Sequence, residues 1–207
     1  MPNLEQYTLL SYLPKEYTEL LSNVEDKTAK KRRLSNHSRG KMKFGLHENR
    51  GSVADTVVYR TLEHLYQSER YRLGGLDEGV TDDRVRELEH VAAVVRSQAT
   101  PPDAWIVARD PKHDELLSQN FKQRWKTLRI GVMRWALWKK FGDPACFVYR
   151  QKMIGEQNAQ ALEKTGDAYL HGPTDAGRFW GTSIFGDSGQ NILGRLLMEV
   201  RERLKES

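Results

Sequence analysis

The sequence predicts an α+β fold, a mostly helical single domain with a few short strands. Apolar residues recur at helical spacing through several long windows, while β-branched and aromatic residues cluster only in short runs. No stretch alternates strand and helix as a doubly wound sheet requires. The length of 207 residues suits one domain with a modest extension. We place the extension at residues 1–33 and the domain at 34–207.

Pro14 opens a helix to about Arg33, with Leu20, Leu21 and Val24 on one side, and residues 36–40 break it. Lys41 to Leu46 and Thr56 to Tyr59 read as two short strands of a hairpin around a Gly/Asn-containing turn. Thr61 is a candidate N-cap for a helix through about Arg72, ended by Gly74-Gly75. Thr81 or Asp82 starts the next, with Val85, Leu88, Ala92 and Val95 at helical spacing and Pro101-Pro102 beyond its end. Phe121, Trp125, Leu128, Val132 and Ala136 trace one face of a long helix from about Ser118 to Phe141. Asp143-Pro144 reads as cap and first turn of a helix into about Lys164, stopped by Thr165-Gly166-Asp167. Tyr169, Leu170 and Phe179 to Thr182 read as short strands around a turn at 172–177. A last helix, Asn191 to about Lys205, buries Leu193, Leu196, Leu197, Val200 and Leu204.

Composition narrows the function classes. No apolar run approaches the length of a membrane span, and the first residues lack the order of a secretory signal. Cys146 is the one cysteine in the chain, so neither an intrachain disulfide nor a multi-thiolate metal site is available. These features fit a reducing compartment such as the cytoplasm. The six histidines are scattered, with no ligand-spaced pair, and no nucleophile elbow, P-loop or dinucleotide fingerprint occurs.

Charge is unevenly placed. Lys and Arg number 33 against 28 Asp and Glu, for a net +5. Fifteen of the basic residues fall in two stretches without an acid, Lys27 to Lys43 and Leu116 to Gly142. Concentrated positive potential is what a surface facing phosphates shows, although a solvated helix face or a basic arm looks the same. Glu63, Gln67 and Arg70 are spaced by four and three and share a helix face, as an ordinary Glu–Arg pair also does. Trp125 fits a core stripe, and Asp175 a turn.

Taken in order, several segments resemble the NADAR (YbiA-like) family. Leu34-Ser35-Asn36-His37 is similar to its L-S-N-F element. The run from Tyr59-Arg60-Thr61-Leu62-Glu63-His64 to Gln67 and Arg70-Tyr71 is similar to its W-P-T-S-E-H-Y-F-Q-A-Q-K-F block. Ala108-Arg109 resembles a short Gly/Ala-Arg element. Trp125 with Val132-Met133, Ala136-Leu137 and Lys140-Phe141 keeps the spacing of the family's long helix, W-x-x-x-K-x-x-V-M-x-x-A-L-x-x-K-F. Thr165-Gly166-Asp167, Asp175, Trp180-Gly181 and Gly189-Gln190-Asn191 resemble its closing motifs. Asp175 stands two residues further from Trp180 than in the family pattern, with Asp187 as the alternative match.

The resemblance implies an N-glycosidase that hydrolyses a bond at the anomeric carbon of a ribose, without metal or redox cofactor. Such a reaction passes through an oxocarbenium-like state that a carboxylate stabilises. It implies Glu63 as the principal catalytic carboxylate and Asp175 as the group holding ribose hydroxyls, with the roles exchangeable, and Trp125 as an aromatic face for the base. Ser35, Asn36, His64, Gln67, Arg70, Arg109, Trp180, Gly181 and Asn191 are the implied substrate-binding residues. The expected substrate is ADP-ribose on guanine, in nucleic acid or a nucleoside, because the basic stretch at 27–43 runs through Asn36. Phosphorylated riboflavin-biosynthesis intermediates, and a non-catalytic ADP-ribose-binding module, are the alternatives.

Overall fold

The computed structural model describes residues 41–45, 56–142, 147–149, 152–153, 155–170, 179–182 and 189–206. The helix expected at 14–33, the Ser35-Asn36 element, Cys146, Asp175 and Asp187 lie outside these residues. The expected hairpin is present: β1 (Lys41–Gly45) pairs antiparallel with β2 (Thr56–Tyr59), Met42 opposite Tyr59. Thr61 then takes an extended conformation, and its side chain accepts the His64 backbone N–H, which caps α1 (Leu62–Gly74). Thr81 does the same for α2 (Asp82–Ser97), whose Leu88, Val91, Ala92 and Val95 are buried.

Pro101-Pro102 lie beyond the end of α2, as expected, but they also open a further helix that the sequence reading did not foresee. The two prolines occupy the first turn of α3 (Pro101–Val107), capped by Thr100. A proline lacks the N–H that a first turn leaves unused anyway, so the same residues serve as stop or start. Asp110 and Pro111 repeat the device for the one-turn α4 (Pro111–Asp114).

The long helix α5 (Gln119–Gly142) is the expected one. Ser118 sets its start: the hydroxyl accepts the Phe121 N–H at 2.9 Å and donates to Asp77 at 2.6 Å. Arg124 reaches the other Asp77 oxygen at 2.5 Å, so the turn after α1 fixes the first turns of α5. The expected helix across 143–164 is half wrong. Phe147–Tyr149 is β3 and Lys152–Met153 is β4, and the helix α6 begins only at Gly155 and ends at Glu163. Aromatic and β-branched residues at 147–149 find β1 as a pairing partner, Phe147 opposite Met42, and this overrides local helix cues. The sheet order is β2-β1-β3-β4.

Tyr169-Leu170 and Phe179 to Thr182 do not form a strand pair; Thr182 alone makes a bridge. The Phe179, Trp180 and Gly181 carbonyls instead accept the N–H groups of Ile192, Leu193 and Asn191, at 3.3, 3.0 and 3.3 Å. Phe179 and Trp180 are thus a turn pinned to the start of α7 (Ile192–Lys205). Gly194 permits this crossing, because a Cβ there would stand 2.0 Å from the Leu170 carbonyl oxygen. Leu196, Leu197 and Val200 of α7 are buried, whereas Leu193 and Leu204 are half-buried. Arg201, also buried, donates to Thr165 Oγ1 and the Ala168 carbonyl, both at 2.8 Å, and so holds the Thr165-Gly166-Asp167 turn.

The described residues are thus mostly helical with a few short strands. Helix α1 lies at the centre, packed on α2 and α3 along one side and on α5 along another, and α5 continues against α6 and α7. Leu65, Val95, Ala136 and Leu137 are fully enclosed there. Truncating one such leucine to alanine is worth roughly 2–5 kcal/mol. No helix among the described residues is long and apolar enough to cross a membrane.

Candidate active site

Glu63 is the second residue of α1, two residues past its cap, where the unpaired N–H groups of a helix start favour a negative charge. Its neighbours on that face are Tyr66, Gln67 and Arg70, one and two turns along. Gln67 Nε2 donates to Glu63 Oε1 at 2.7 Å, and both side chains are buried.

Beside this pair runs a row of rings from three parts of the chain. Phe121 and Trp125 of α5 stack at 6.0 Å between centroids, Trp125 meets Tyr66 of α1 at 5.5 Å, and Tyr66 meets Trp180 edge-on at 5.3 Å. Phe179 follows at 4.9 Å, again edge-on. The Arg129 guanidinium closes the row, 3.6 Å above the Phe179 ring. Burial pushes the Tyr66 phenol up to about 12; Arg129 pulls it down, Glu63 pushes it up, and Arg70 and Trp180 pull it down. The Tyr66 oxygen therefore lies within the fields of both Glu63 and Arg129.

The structure thus brings together four residues expected from the sequence: Glu63, Gln67, Trp125 and Trp180. Gly181 lies beside them as the carbonyl that takes the Asn191 N–H. Arg70 shares their helix face but is engaged, pairing with Asp114 and donating weakly to the Ala108 carbonyl, while its buried Nε has no partner. Asp114 also binds Lys122 at 2.9 Å. Burial opposes ionisation of Asp114, but Lys122 and Arg70 together hold its carboxyl below the ordinary range.

Three expected substrate contacts are placed otherwise. His64 is fully buried; its Nδ1 pairs with Thr61 Oγ1 at 2.8 Å and its Nε2 with the Gln98 carbonyl at 3.1 Å, so the imidazole ties α1 to the end of α2. Arg109 lies over the ring of Trp105, 4.4 Å from its centroid, on the exposed side of α3, and none of its described contacts reaches the aromatic row. Asn191 donates to the Tyr169 hydroxyl at 3.0 Å and the Leu170 carbonyl at 2.9 Å. Its backbone is left-handed, at φ 48°, its own N–H joins the Gly181 carbonyl, and the residue is buried.

Sequence reasoning gave no role to Tyr66, Phe179 or Arg129. Tyr66 is one turn beyond Glu63, and Arg129 is one turn beyond Trp125. Helical spacing from the residues already singled out was one available signal, and for Arg129 a second was the long-helix motif W-x-x-x-K, whose Lys falls at that position. Among the described residues no group of three His, Cys, Asp or Glu is placed to hold a metal ion.

In chemical terms, a buried carboxylate stands at a helix start beside flat apolar rings, with a guanidinium at the far end. Low polarity around a fixed negative charge strengthens its attraction for a developing cation. Indole faces suit a planar heterocycle.

The model of the NADAR domain family matches residues 24–205. The N-glycosidase YbiA of Escherichia coli is 29% identical over 151 residues, which are 72% of this chain and 73% of that protein. A riboflavin biosynthesis protein of Vibrio vulnificus is 30% identical over 151 residues, 70% of this chain but 30% of that longer protein. The NMR structure of Escherichia coli YbiA superposes with a TM-score of 0.50 at 25% identity, covering 84% of this chain and 78% of that one.

Proposed function

The chain belongs to the NADAR family, and from that premise we propose that it is an N-glycosidase acting on the bond between a ribose anomeric carbon and the nitrogen of a base. The observation that carries this reading is the Glu63–Gln67 pair set against the Tyr66, Trp125 and Trp180 rings. Its Escherichia coli relative bears the name of that activity.

In this reading the base stacks on the indole of Trp125 or Trp180. As the carbon–nitrogen bond lengthens, its electron pair leaves with the base and positive charge grows on the ribose ring. Glu63 faces that charge, and Gln67 fixes the carboxylate's orientation. Water adds to the anomeric carbon and gives up one proton, and the base takes one. Glu63 is suited to receive the proton of the water. Asp175 is assigned to the ribose hydroxyls through its match to the family motif. No metal or redox cofactor enters these steps.

ADP-ribose attached to guanine in nucleic acid is the substrate we put first, supported by the basic stretch at 27–43. A phosphorylated riboflavin-biosynthesis intermediate is the second reading, favoured by the name of the Vibrio relative. Incubation with ADP-ribosylated DNA, ADP-ribosylated RNA, ADP-ribosyl-guanosine and phosphorylated ribosyl-pyrimidine intermediates, with chromatography of the products, separates the two. Release of free base or unmodified guanine from one of them supports the activity. Binding without release from any of them overturns it in favour of a binding module.

A further inference from the structure

We infer that Arg129, placed over the Phe179 ring at the end of the aromatic row, recognises a phosphate on the ribosyl substrate and sets the preference for phosphorylated over unphosphorylated ribose. The inference rests on the N-glycosidase reading and adds to it a residue and a selection rule.

Three observations support it. The first is the state of the cations along this side of α1. Arg70 and Lys122 both spend their charge on Asp114. Arg129 meets no carboxylate among the described residues; its Nε donates to the Lys126 carbonyl at 3.2 Å, and its two terminal nitrogens have no hydrogen-bond partner among those residues. The second is geometry. The guanidinium is anchored at two points, over the Phe179 ring at 3.6 Å from its centroid and through Nε to the Lys126 carbonyl, which leaves its two terminal nitrogens to meet the several oxygens of a phosphate. The third is position. Phe179, beneath Arg129, touches Trp180, which touches Tyr66, whose hydroxyl senses the charges of both Arg129 and Glu63. A negative group bound at Arg129 and a positive charge forming at Glu63 would therefore belong to one ligand lying along the row.

Phe179 has its own part in this. Without the ring, a long flexible side chain would lose conformational freedom when it bound an anion, at a cost comparable to the gain. The carbonyl ties from residues 179–181 to the start of α7 make the ring a fixed support.

The test compares wild type with Arg129→Gln, Arg129→Lys and Phe179→Leu, after circular dichroism has shown that each is folded. Binding is read from tryptophan fluorescence with inorganic pyrophosphate and with ADP-ribose. Turnover is read as kcat/KM on two pairs, ADP-ribosyl-guanosine against the ribosyl-guanosine it contains, and a ribosyl-pyrimidine 5′-phosphate against its dephosphorylated form. In Arg129→Gln, affinity for the anions and the ratio of phosphorylated to dephosphorylated kcat/KM are both expected to fall by roughly 10–100-fold, the size of a lost charge-assisted hydrogen-bond pair. Arg129→Lys should keep part of the ratio as a point charge, and Phe179→Leu should lower it less than Arg129→Gln does.

Whichever substrate pair shows the loss identifies the source of the phosphate, a diphosphate bridge or a monoester. An unchanged ratio with unchanged anion affinity, or an equal loss on both members of a pair, overturns the inference. If wild type hydrolyses neither pair, the N-glycosidase reading fails, and the anion affinities of wild type and Arg129→Gln still decide the role of Arg129.

Discussion

Glu63 and Glu69 stand on the same helix, six residues apart and both buried, at 8% and 3% exposure, yet their surroundings oppose each other. Glu69 is closed in by protein donors. It accepts the Tyr59 hydroxyl at 2.8 Å, and the Arg72 guanidinium meets both its oxygens, Nε at 2.9 Å and Nη2 at 2.6 Å. Burial, and then the Glu69 charge, raise the Tyr59 phenol far above its ordinary value, so the group stays a donor. Glu63 accepts from the neutral amide of Gln67 at 2.7 Å, on the helix face where Tyr66 meets Trp125. A carboxylate answered by a guanidinium and a phenol fastens β2 to α1. A carboxylate held by an amide near flat rings is the one to which the proposed reaction assigns the developing positive charge. In the proposed reaction the same residue type on one helix would serve structure on one face and chemistry on the other.

The comparison breaks most visibly at these two positions. Glu63→Gln is expected to lower kcat on the order of 10²–10⁴-fold while thermal stability stays near wild type, because shape is kept and only the charge is lost. A variant within about threefold of wild type would remove Glu63 from the reaction. Glu69→Gln should do the reverse: a loss of about 2–3 kcal/mol in denaturant unfolding, since Tyr59 and Arg72 lose their anion, with kcat per folded molecule little changed. Loss of turnover without loss of stability in Glu69→Gln would erase the distinction between the two faces.

A third buried charge sharpens the point. Lys140, near the end of α5, is 1% exposed, and burial pulls its ammonium down to about 7 from 10.5. Below about pH 7 the amine is protonated in both folded and unfolded chains, and the folded chain carries the full cost of the buried charge. Between about 7 and 10.5 the unfolded chain keeps a proton that the folded chain has released. Stability therefore rises with pH through that window, by at most about 1.4 kcal/mol per unit. Chemical denaturation of wild type and Lys140→Met across the window should show this rise in wild type and its absence in the variant. Parallel curves would mean that Lys140 stays charged when folded.

The sequence made the helices legible wherever an apolar stripe and a cap coincided, as at Thr61, Thr81 and Ser118. It was incomplete or misleading where one cue serves two purposes. Pro101-Pro102 was read rightly as lying past the end of α2, but its role as a helix start was missed, and Asp143-Pro144 suggested a helix across residues that pair with β1 instead. Pairing between segments about a hundred residues apart leaves no local trace. Within the site, Glu63, Gln67, Trp125 and Trp180 were readable because the family motifs contain them. His64 was readable as a motif residue but not as a brace, since its Gln98 partner lies in another element. Arg129 stands where the family's long-helix motif has its Lys, yet it was read only as part of a charged stretch, and only the fold brings Phe179 beneath it.

Arg109 provides the finest test, since it and Arg129 are both arginines on aromatic rings and differ in where the ring stands. Trp105, under Arg109, is 37% exposed and adjoins Ile106, which is 61% exposed, on the outer side of α3. An exposed cation–π pair contributes roughly 0.5–1 kcal/mol, because water already solvates the guanidinium. Phe179, under Arg129, is partly buried against Trp180 and continues the row to Tyr66. Arg109→Ala is therefore expected to lower stability by no more than about 1 kcal/mol and to shift kcat/KM on a phosphorylated ribosyl substrate by less than about twofold. The measurement is the same kcat/KM series used for Arg129→Gln, with thermal unfolding alongside. A tenfold loss in Arg109→Ala, with unfolding unchanged, would place the phosphate on the α3 side of the molecule, and the aromatic row would then account for the base alone.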